Sequence, residues 1–418
     1  MRLPDQVAVV LDDALHGAKV EVGVLSCDRR GSAEVPRFAY TEDWLERTAG
    51  AFAIDPELPL YPGDFFPSHG GMFGVLRDTA PDRWGRILME RRESLEAEAE
   101  ARKPRRLQEW EFLLGVADVA RMGALRLRER DGERFLDDRA LSAPPKTRLR
   151  ELQGIALALE EPGSEDRPEY TTWLRQLLAP GTSLGGARPK ATFEAPDGAL
   201  WIAKFPGRQD RHDVGAWEYL AHRLAAQAGV RVPNAELLEL TGEHHTFAVQ
   251  RFDRDEQRRR LYLSAMSASG HDDGDAASYL DIAEAIQNAG DAATIESDLE
   301  QLYRRVVFNV LLGNRDDHLR NHGFLRGRRG WCLAPAFDVN PNPDKLEHAL
   351  NLDDASSVPS VGRVHATREL YRLSAAEASR IERQVREALS DWQPLARDIG
   401  ISRREVQTLA SVIDPTRD

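Results

Sequence analysis

The sequence predicts an α+β fold, with a strand-rich first half and a helical second half. Up to about residue 255, short apolar or alternating runs recur between Gly-, Pro- and Asp-bearing turns, as at residues 7–11, 20–25, 191–195 and 200–205. This is the pattern of paired strands. Beyond about Leu261 the apolar residues fall at three- and four-residue steps behind polar, cap-like starts, the pattern of amphipathic helices. The main clusters of carboxylates and amides lie inside the helical half.

At 418 residues and 41% hydrophobic composition the chain is long and apolar enough for two or three packed units. Composition shifts divide it into residues 1–145, 146–255 and 256–418. In the first, runs 7–11 and 20–25 flank a turn with Gly17 and read as a strand pair of a small α/β unit. Pro81 stands near the first turn of a predicted helix. The charged run 91–106, with Glu93, Glu96, Glu98, Glu100 and Lys103, is expected to be a solvated helix end or surface loop. Residues 113–116 return to core-like sequence, and the charged stretch 128–150, with Pro144 and Pro145 near its end, marks the boundary.

In the second unit, runs 191–195 and 200–205 flank Pro196-Asp197-Gly198, which is hairpin chemistry. Residues 214–229 predict a helix, with Trp217, Leu220 and Leu224 at helical spacing and Gly229 closing it. Runs 237–240 and 246–252 predict two more strands. In the third unit a helix is expected to open at Asp298 and carry Leu302, Val306 and Val310 on one face. Ser374 with Glu377, and Ser402 with Glu405, have the spacing of capping boxes.

Composition excludes several classes. With 69 acidic against 56 basic residues the formal net charge is −13, so the chain as a whole is not attracted to nucleic acid. The two cysteines, Cys27 and Cys332, have no motif spacing, which argues against a disulfide framework or zinc site. No apolar run approaches the ~18 residues of a membrane span and the start lacks a signal-peptide pattern, so a soluble cytoplasmic protein is expected.

The chemistry concentrates in Asn314-Arg315-Asp316-Asp317-His318-Leu319-Arg320-Asn321 and in Pro335-Ala336-Phe337-Asp338-Val339. A carboxylate, an amide five residues later and a second carboxylate beyond them are what phosphoryl transfer from ATP requires. The first orients or deprotonates the attacking hydroxyl, and the other two hold Mg²⁺ on the phosphates. Asp317 competes with Asp316 for the role of base, and the five-residue spacing to Asn321 favours Asp316. An isolated Asp-Asp is more often a polar turn; here a later Asp338 in an apolar run adds weight, because a carboxylate held there needs a partner or a metal.

Lys204 ends Trp201-Ile202-Ala203-Lys204, like the kinase strand whose lysine meets the α- and β-phosphates. Glu218, 14 residues on, is spaced to allow an ion pair with it without demanding one. The loop Ser183-Leu184-Gly185-Gly186-Ala187-Arg188-Pro189-Lys190 precedes that strand, where backbone amides of a phosphate-covering loop would lie. The layout is that of a two-lobed, protein-kinase-like fold, with an extra N-terminal α/β subdomain, an all-helical C-terminal lobe and ATP expected between the lobes.

These stretches together resemble the HipA-type serine/threonine kinases, the toxins of type II toxin–antitoxin systems. Further matching pieces are Phe38-Ala39-Tyr40, Asp43-Trp44-Leu45, Leu58-Pro59-Leu60, Met72-Phe73-Gly74 and Arg251-Phe252-Asp253-Arg254, and the two acidic stretches match from Asn309 to Asn321 and from Leu333 to Asp338. The resemblance implies Asp316 as catalytic Asp, Asn321 and Asp338 as Mg²⁺ ligands and Lys204 as the phosphate lysine. It also implies nucleotide contacts by Gly185, Gly186 and Ala187 of the loop, by Gln250 and Phe252 near adenine, and by Phe337. Ser183, or its neighbour Thr182, matches the hydroxyl whose autophosphorylation inactivates the kinase by placing about −1.5 to −2 charges beside the ATP phosphates. The implied partners are a HipB-like helix-turn-helix antitoxin, operator DNA reached only through it, and a protein substrate such as an aminoacyl-tRNA synthetase. An aminoglycoside-kinase-like small-molecule phosphotransferase shares the Asp-x-x-x-x-Asn loop but leaves residues 38–84 without a role. A nucleotide-binding co-repressor without catalysis would not need every catalytic position filled.

Overall fold

A computed structural model describes all residues except 1–2, 31–32, 48–49, 69–70, 138–142, 182–185, 187, 243 and 257. The chain forms two compact units, Met1–Arg208 with Asp253–Leu263, and Gln209–Phe252 with Ser264–Asp418.

In the first unit β1 (Gln6–Asp13) is central. It pairs antiparallel with β2 (Gly17–Arg30), which in turn pairs with β3 (Ala33–Tyr40). Val7, Ala8, Val9, Val10 and Leu11 are all buried, which explains the unbroken apolar run. Gly23 must be glycine for packing reasons: a Cβ there would lie 2.3 Å from Phe38 Cζ and 2.5 Å from the Ala39 carbonyl oxygen.

Asp82 caps α1 (Arg83–Ala99), its Oδ1 accepting from Gly85 N at 2.7 Å. The run 91–106 is not merely solvated. The helix continues to Ala99, and the Glu93 side chain is 4% exposed beneath Arg102 and Arg105. Glu96, Glu98, Glu100, Lys103, Arg105 and Arg106 are exposed as expected, while of the charged residues Glu93 alone is buried, with its own counter-ions. The hydrogen-bonded Arg102 guanidinium, with Arg105 adding to it, holds the Glu93 carboxyl down to about 2.

On the other side of β1 lies β4 (Leu125–Glu129), again antiparallel, so Val9 faces both Gly23 and Leu127. Leu125 and Leu127 are buried while Arg126 and Arg128 are half-buried, an alternation too short to stand out from the charged stretch that follows. The returning segment 253–263 closes this sheet: Arg259 pairs in register with Asp13, and Leu261 N donates to Asp13 Oδ2 at 2.7 Å.

Two helices, α2 (Leu149–Leu159) and α3 (Tyr170–Gly181), precede the hairpin of β5 (Lys190–Glu194) and β6 (Leu200–Lys204). Its register opposes Phe193 to Trp201 and Lys190 to Lys204. The predicted turn forms, with Gly198 at φ +84° and Ala199 N donating to Asp197 Oδ1 at 3.0 Å.

The second unit opens with α4 (Val214–Gln227), then the antiparallel β7 (Ala235–Leu238) and β8 (Thr246–Gln250). Helix α5 (Tyr279–Ala289) leads to α6 (Ile295–Leu312), the core of this unit, whose Leu299, Leu302, Tyr303, Val306, Val307, Val310 and Leu311 are fully buried. Helix α6 starts before Asp298, contrary to expectation. Asp298 is buried in the first turn, where it accepts from Arg231 and from Leu333 N.

A hairpin of β9 (Gly323–Arg326) and β10 (Trp331–Leu333) interrupts the segment expected to be all-helical. Strands of four and three residues are too short to leave a two-residue period. Helices α7 (Ala375–Ser390), α8 (Trp392–Ile399) and α9 (Arg403–Leu409) complete the unit, with capping boxes at Ser374/Glu377 and Ser402/Glu405 as the sequence indicated. Among the described residues no helix is long and apolar enough to cross a membrane.

Candidate active site

Helix α6 stops at Leu312 because Gly313 takes φ +76°, and a Cβ there would lie 2.3 Å from Val412 Cγ1. Gly313 N and Asn314 N both donate to Asn309 O at 2.9 Å, and Asn314 Nδ2 donates to Asn309 Oδ1 at 3.1 Å. The chain is thereby turned sharply into the Asp316 loop.

The two adjacent aspartates are treated in opposite ways. Asp317 Oδ2 accepts from Tyr279 Oη, from Asn309 Nδ2 and from His322 Nε2, each at 2.7 Å, and the side chain is 3% exposed. Burial by itself would raise the Asp317 carboxyl. The facing His322 and the donated hydrogen bonds outweigh it and hold the group below its usual range. Asp316 instead presents a carboxylate that is 58% exposed and ion-paired with Lys345.

Asn321 closes a short helical turn, its N–H donating to His318 O at 2.8 Å, and its Nδ2 lies 3.4 Å from the Asp316 carbonyl oxygen. Its buried side chain therefore offers Oδ1, the amide atom a hard cation takes.

The second acidic segment hangs on the same helix. Arg305 Nη2 donates to Ala334 O at 2.5 Å, Leu333 N to Asp298 Oδ2 at 3.0 Å and Ala336 N to Arg231 O at 2.8 Å. Burial pushes the Arg305 guanidinium down to about 9. Beyond these anchors Asp338 adopts φ +56°, in the left-handed region that aspartate tolerates better than most residues. The apolar run predicts a more enclosed carboxylate than is found. Ala334 and Ala336 are buried, whereas Phe337, Asp338 and Val339 are only half-buried. The Phe337 ring stacks on Phe252, with centroids 5.3 Å apart and planes tilted by 32°.

One amide oxygen and one carboxylate are too few for an all-protein cage, and none of three or more His, Cys, Asp or Glu occurs among the described residues. An amide oxygen and a carboxylate are groups that could hold Mg²⁺, which is usually bound by one or two protein groups together with substrate phosphates.

The remaining candidates fall in different places. Gln250 is engaged by Asn234, whose Nδ2 donates to its Oε1 at 2.8 Å. Glu218 is buried on α4 in the second unit. Lys204, half-buried at the end of β6, and Gly186, at φ +103°, belong to the first unit. There Gly186 O accepts from Trp84 N at 3.4 Å, and Lys190 is ion-paired with Asp82 at 2.6 Å. Thr182, Ser183, Gly185 and Ala187 lie outside the described residues. The sequence does not single out Tyr279, His322 or Lys345. Tyr279 reads as an ordinary core aromatic, and Lys345 is a surface lysine 29 residues beyond Asp316.

Residues 15–128 match the HipA N-terminal domain, and residues 182–400 match the HipA-like C-terminal domain. The chain belongs to the HipA family. Its HipA-type relatives include the serine/threonine-protein kinase toxin HipA of Shewanella oneidensis, 23% identical over 359 residues, covering 78% of this chain and 74% of that protein. A putative kinase of Haemophilus influenzae is 28% identical over 210 residues (44% of this chain), and the putative kinase Y4dM of Sinorhizobium fredii is 28% identical over 157 residues (34%). The chain spans 60% and 37% of the length of these two proteins.

The HipA fold is shared with a chain of the solved Shewanella oneidensis MR-1 complex of HipA, HipB and operator DNA. The TM-score is 0.66 at 16% identity, with 97% of this chain and 95% of that chain covered.

Proposed function

We propose that the chain is an ATP- and Mg²⁺-dependent serine/threonine protein kinase. The observation that carries this reading is the contrast between Asp317, buried under three donors, and Asp316, held exposed beside it. Such a loop is built to present one carboxylate to an incoming group while a second fixes the backbone. In this reading the proton of the acceptor hydroxyl passes to Asp316 as the acceptor oxygen bonds to the γ-phosphorus and ADP leaves. Asn321 Oδ1 and Asp338 hold Mg²⁺, which when bound neutralises charge on the phosphates. On the family pattern Lys204 is assigned to the α- and β-phosphates, Ser183, Gly185, Gly186 and Ala187 to the phosphate loop, and Phe252, Phe337 and Gln250 to the base.

Family membership supports a toxin role. The acceptor is then a protein of the translation machinery, such as an aminoacyl-tRNA synthetase, and its modification arrests growth. The likeness to a HipA–HipB–DNA complex supports a HipB-like antitoxin as partner, and the net charge of −13 supports DNA contact through that partner.

The test uses radiolabelled ATP with Mg²⁺ and the chain itself as acceptor. Asp316→Asn is expected to lower label transfer roughly 10²- to 10⁴-fold; transfer within a few-fold of the unmodified chain sinks the assignment.

A further inference from the structure

The turn that follows the second acidic segment carries Lys345, and its backbone is fixed against the Asp316 loop on both sides of that residue. Asn342 N donates to Gly313 O at 2.9 Å, Arg315 Nη1 donates to Lys345 O at 2.5 Å, and Ala349 N donates to Arg315 O at 3.0 Å. Asn342 Oδ1 shapes the turn from within, accepting from Asp344 N at 2.9 Å and Lys345 N at 3.2 Å. The Lys345 side chain leaves this frame and meets Asp316 Oδ1.

An ion pair between groups that are 46% and 58% exposed contributes little to stability. Yet three hydrogen bonds, two between backbones and one from the Arg315 guanidinium to the Lys345 carbonyl, fix the turn that carries this pair. The exposed Asp316 side chain has no other side-chain hydrogen bond described. Without Lys345 it would sample several rotamers, whereas a base must stand within hydrogen-bond reach of the proton it takes.

Resting on the phosphoryl-transfer reading above, we infer that Lys345 is a positioning residue. Its ammonium holds the Asp316 carboxylate in the orientation from which it takes the acceptor's proton. Because the tethers are made by the backbone and by Arg315 and Asn342, removing the Lys345 side chain leaves the turn in place.

The experiment measures label transfer from Mg²⁺-ATP, with an Asp316→Asn copy of the chain as acceptor, for the unmodified chain, Lys345→Met and Lys345→Arg. Lys345→Met is expected to lower kcat roughly 10- to 100-fold, as small misplacements of a reacting group do. The KM for ATP should stay within about two-fold and the Tm should not change. Lys345→Arg, which can still reach the carboxylate, is expected to recover most of the loss. An unchanged or raised kcat in Lys345→Met overturns the inference and leaves the kinase reading standing, and so does a loss matched by a falling Tm or not relieved by arginine. An unmodified chain that transfers no label overturns both.

Discussion

Lys190 and Asp82, 108 residues apart in sequence, form a 2.6 Å ion pair in which both side chains are almost wholly buried. Asp82 also caps α1, so one carboxylate joins the start of that helix to the start of β5. Breaking such a pair from one side leaves an uncompensated charge in the core. Lys190→Met alone is therefore expected to lower stability by about 3–5 kcal/mol. The double variant Asp82→Asn/Lys190→Met keeps the cap acceptor, removes both charges and should recover more than half of the loss. Urea unfolding midpoints of the two variants decide the point, and equal losses would show that the charge pairing is unimportant.

The Asp317 network makes a graded prediction. Tyr279→Phe removes one of three donors to a buried carboxylate and should cost about 1.5–3 kcal/mol by thermal unfolding. Label transfer by that variant should fall much less than in Asp316→Asn, because the exposed carboxylate remains. A collapse of transfer equal to that of Asp316→Asn, in a protein that is still folded, would contradict this separation of roles.

Acid should act through Glu93. Its carboxyl is lowered to about 2 from the ordinary value of 4.5, so the folded form binds its proton less readily than the unfolded form. The associated stability is fully present above about pH 4.5 and is lost as pH falls towards 2. Glu93→Gln should therefore be less stable at neutral pH, with a flatter acid limb between pH 5 and 2. Parallel curves for the two proteins, read as urea midpoint against pH, would refute it.

Asp338→Asn is a clean test of the metal position because asparagine also tolerates φ +56°. Nucleotide affinity measured by titration calorimetry should fall at least roughly ten-fold with Mg²⁺ present and change little without it. A loss that is the same in both conditions would indicate damage to the loop rather than to cation binding.

Much of this was legible in the sequence where one local signal decides. Ser374 and Ser402 had to open helices, and Pro196-Asp197-Gly198 had to turn a hairpin. The five-residue spacing favours Asp316 over Asp317 as candidate base, and the structure treats the two aspartates differently: Asp317 is buried under three donors, Asp316 exposed. What was not legible depends on residues distant in sequence. The burial of Glu93 depends on Arg102 and Arg105 folding back over it, and that of Asp298 on Arg231 and the Leu333 amide. Lys345 is placed by its turn, which Asn342 N ties to Gly313 O and the Arg315 guanidinium ties at the Lys345 carbonyl. No periodicity or motif encodes such meetings.

The segment 253–263 belongs to the N-terminal sheet although residues 209–252 of the other unit precede it. A gene split after Arg208 would strip Asp13 of the Leu261 amide and Asp118 of the Arg259 guanidinium, and would leave the edge of β1 open at Asp13. During synthesis that sheet stays unfinished until the ribosome has passed residue 263, so the N-terminal unit cannot mature ahead of the strands β7 and β8. Neither half is then expected to be an autonomous module, and swapping N-terminal units between relatives would need three junctions rather than one.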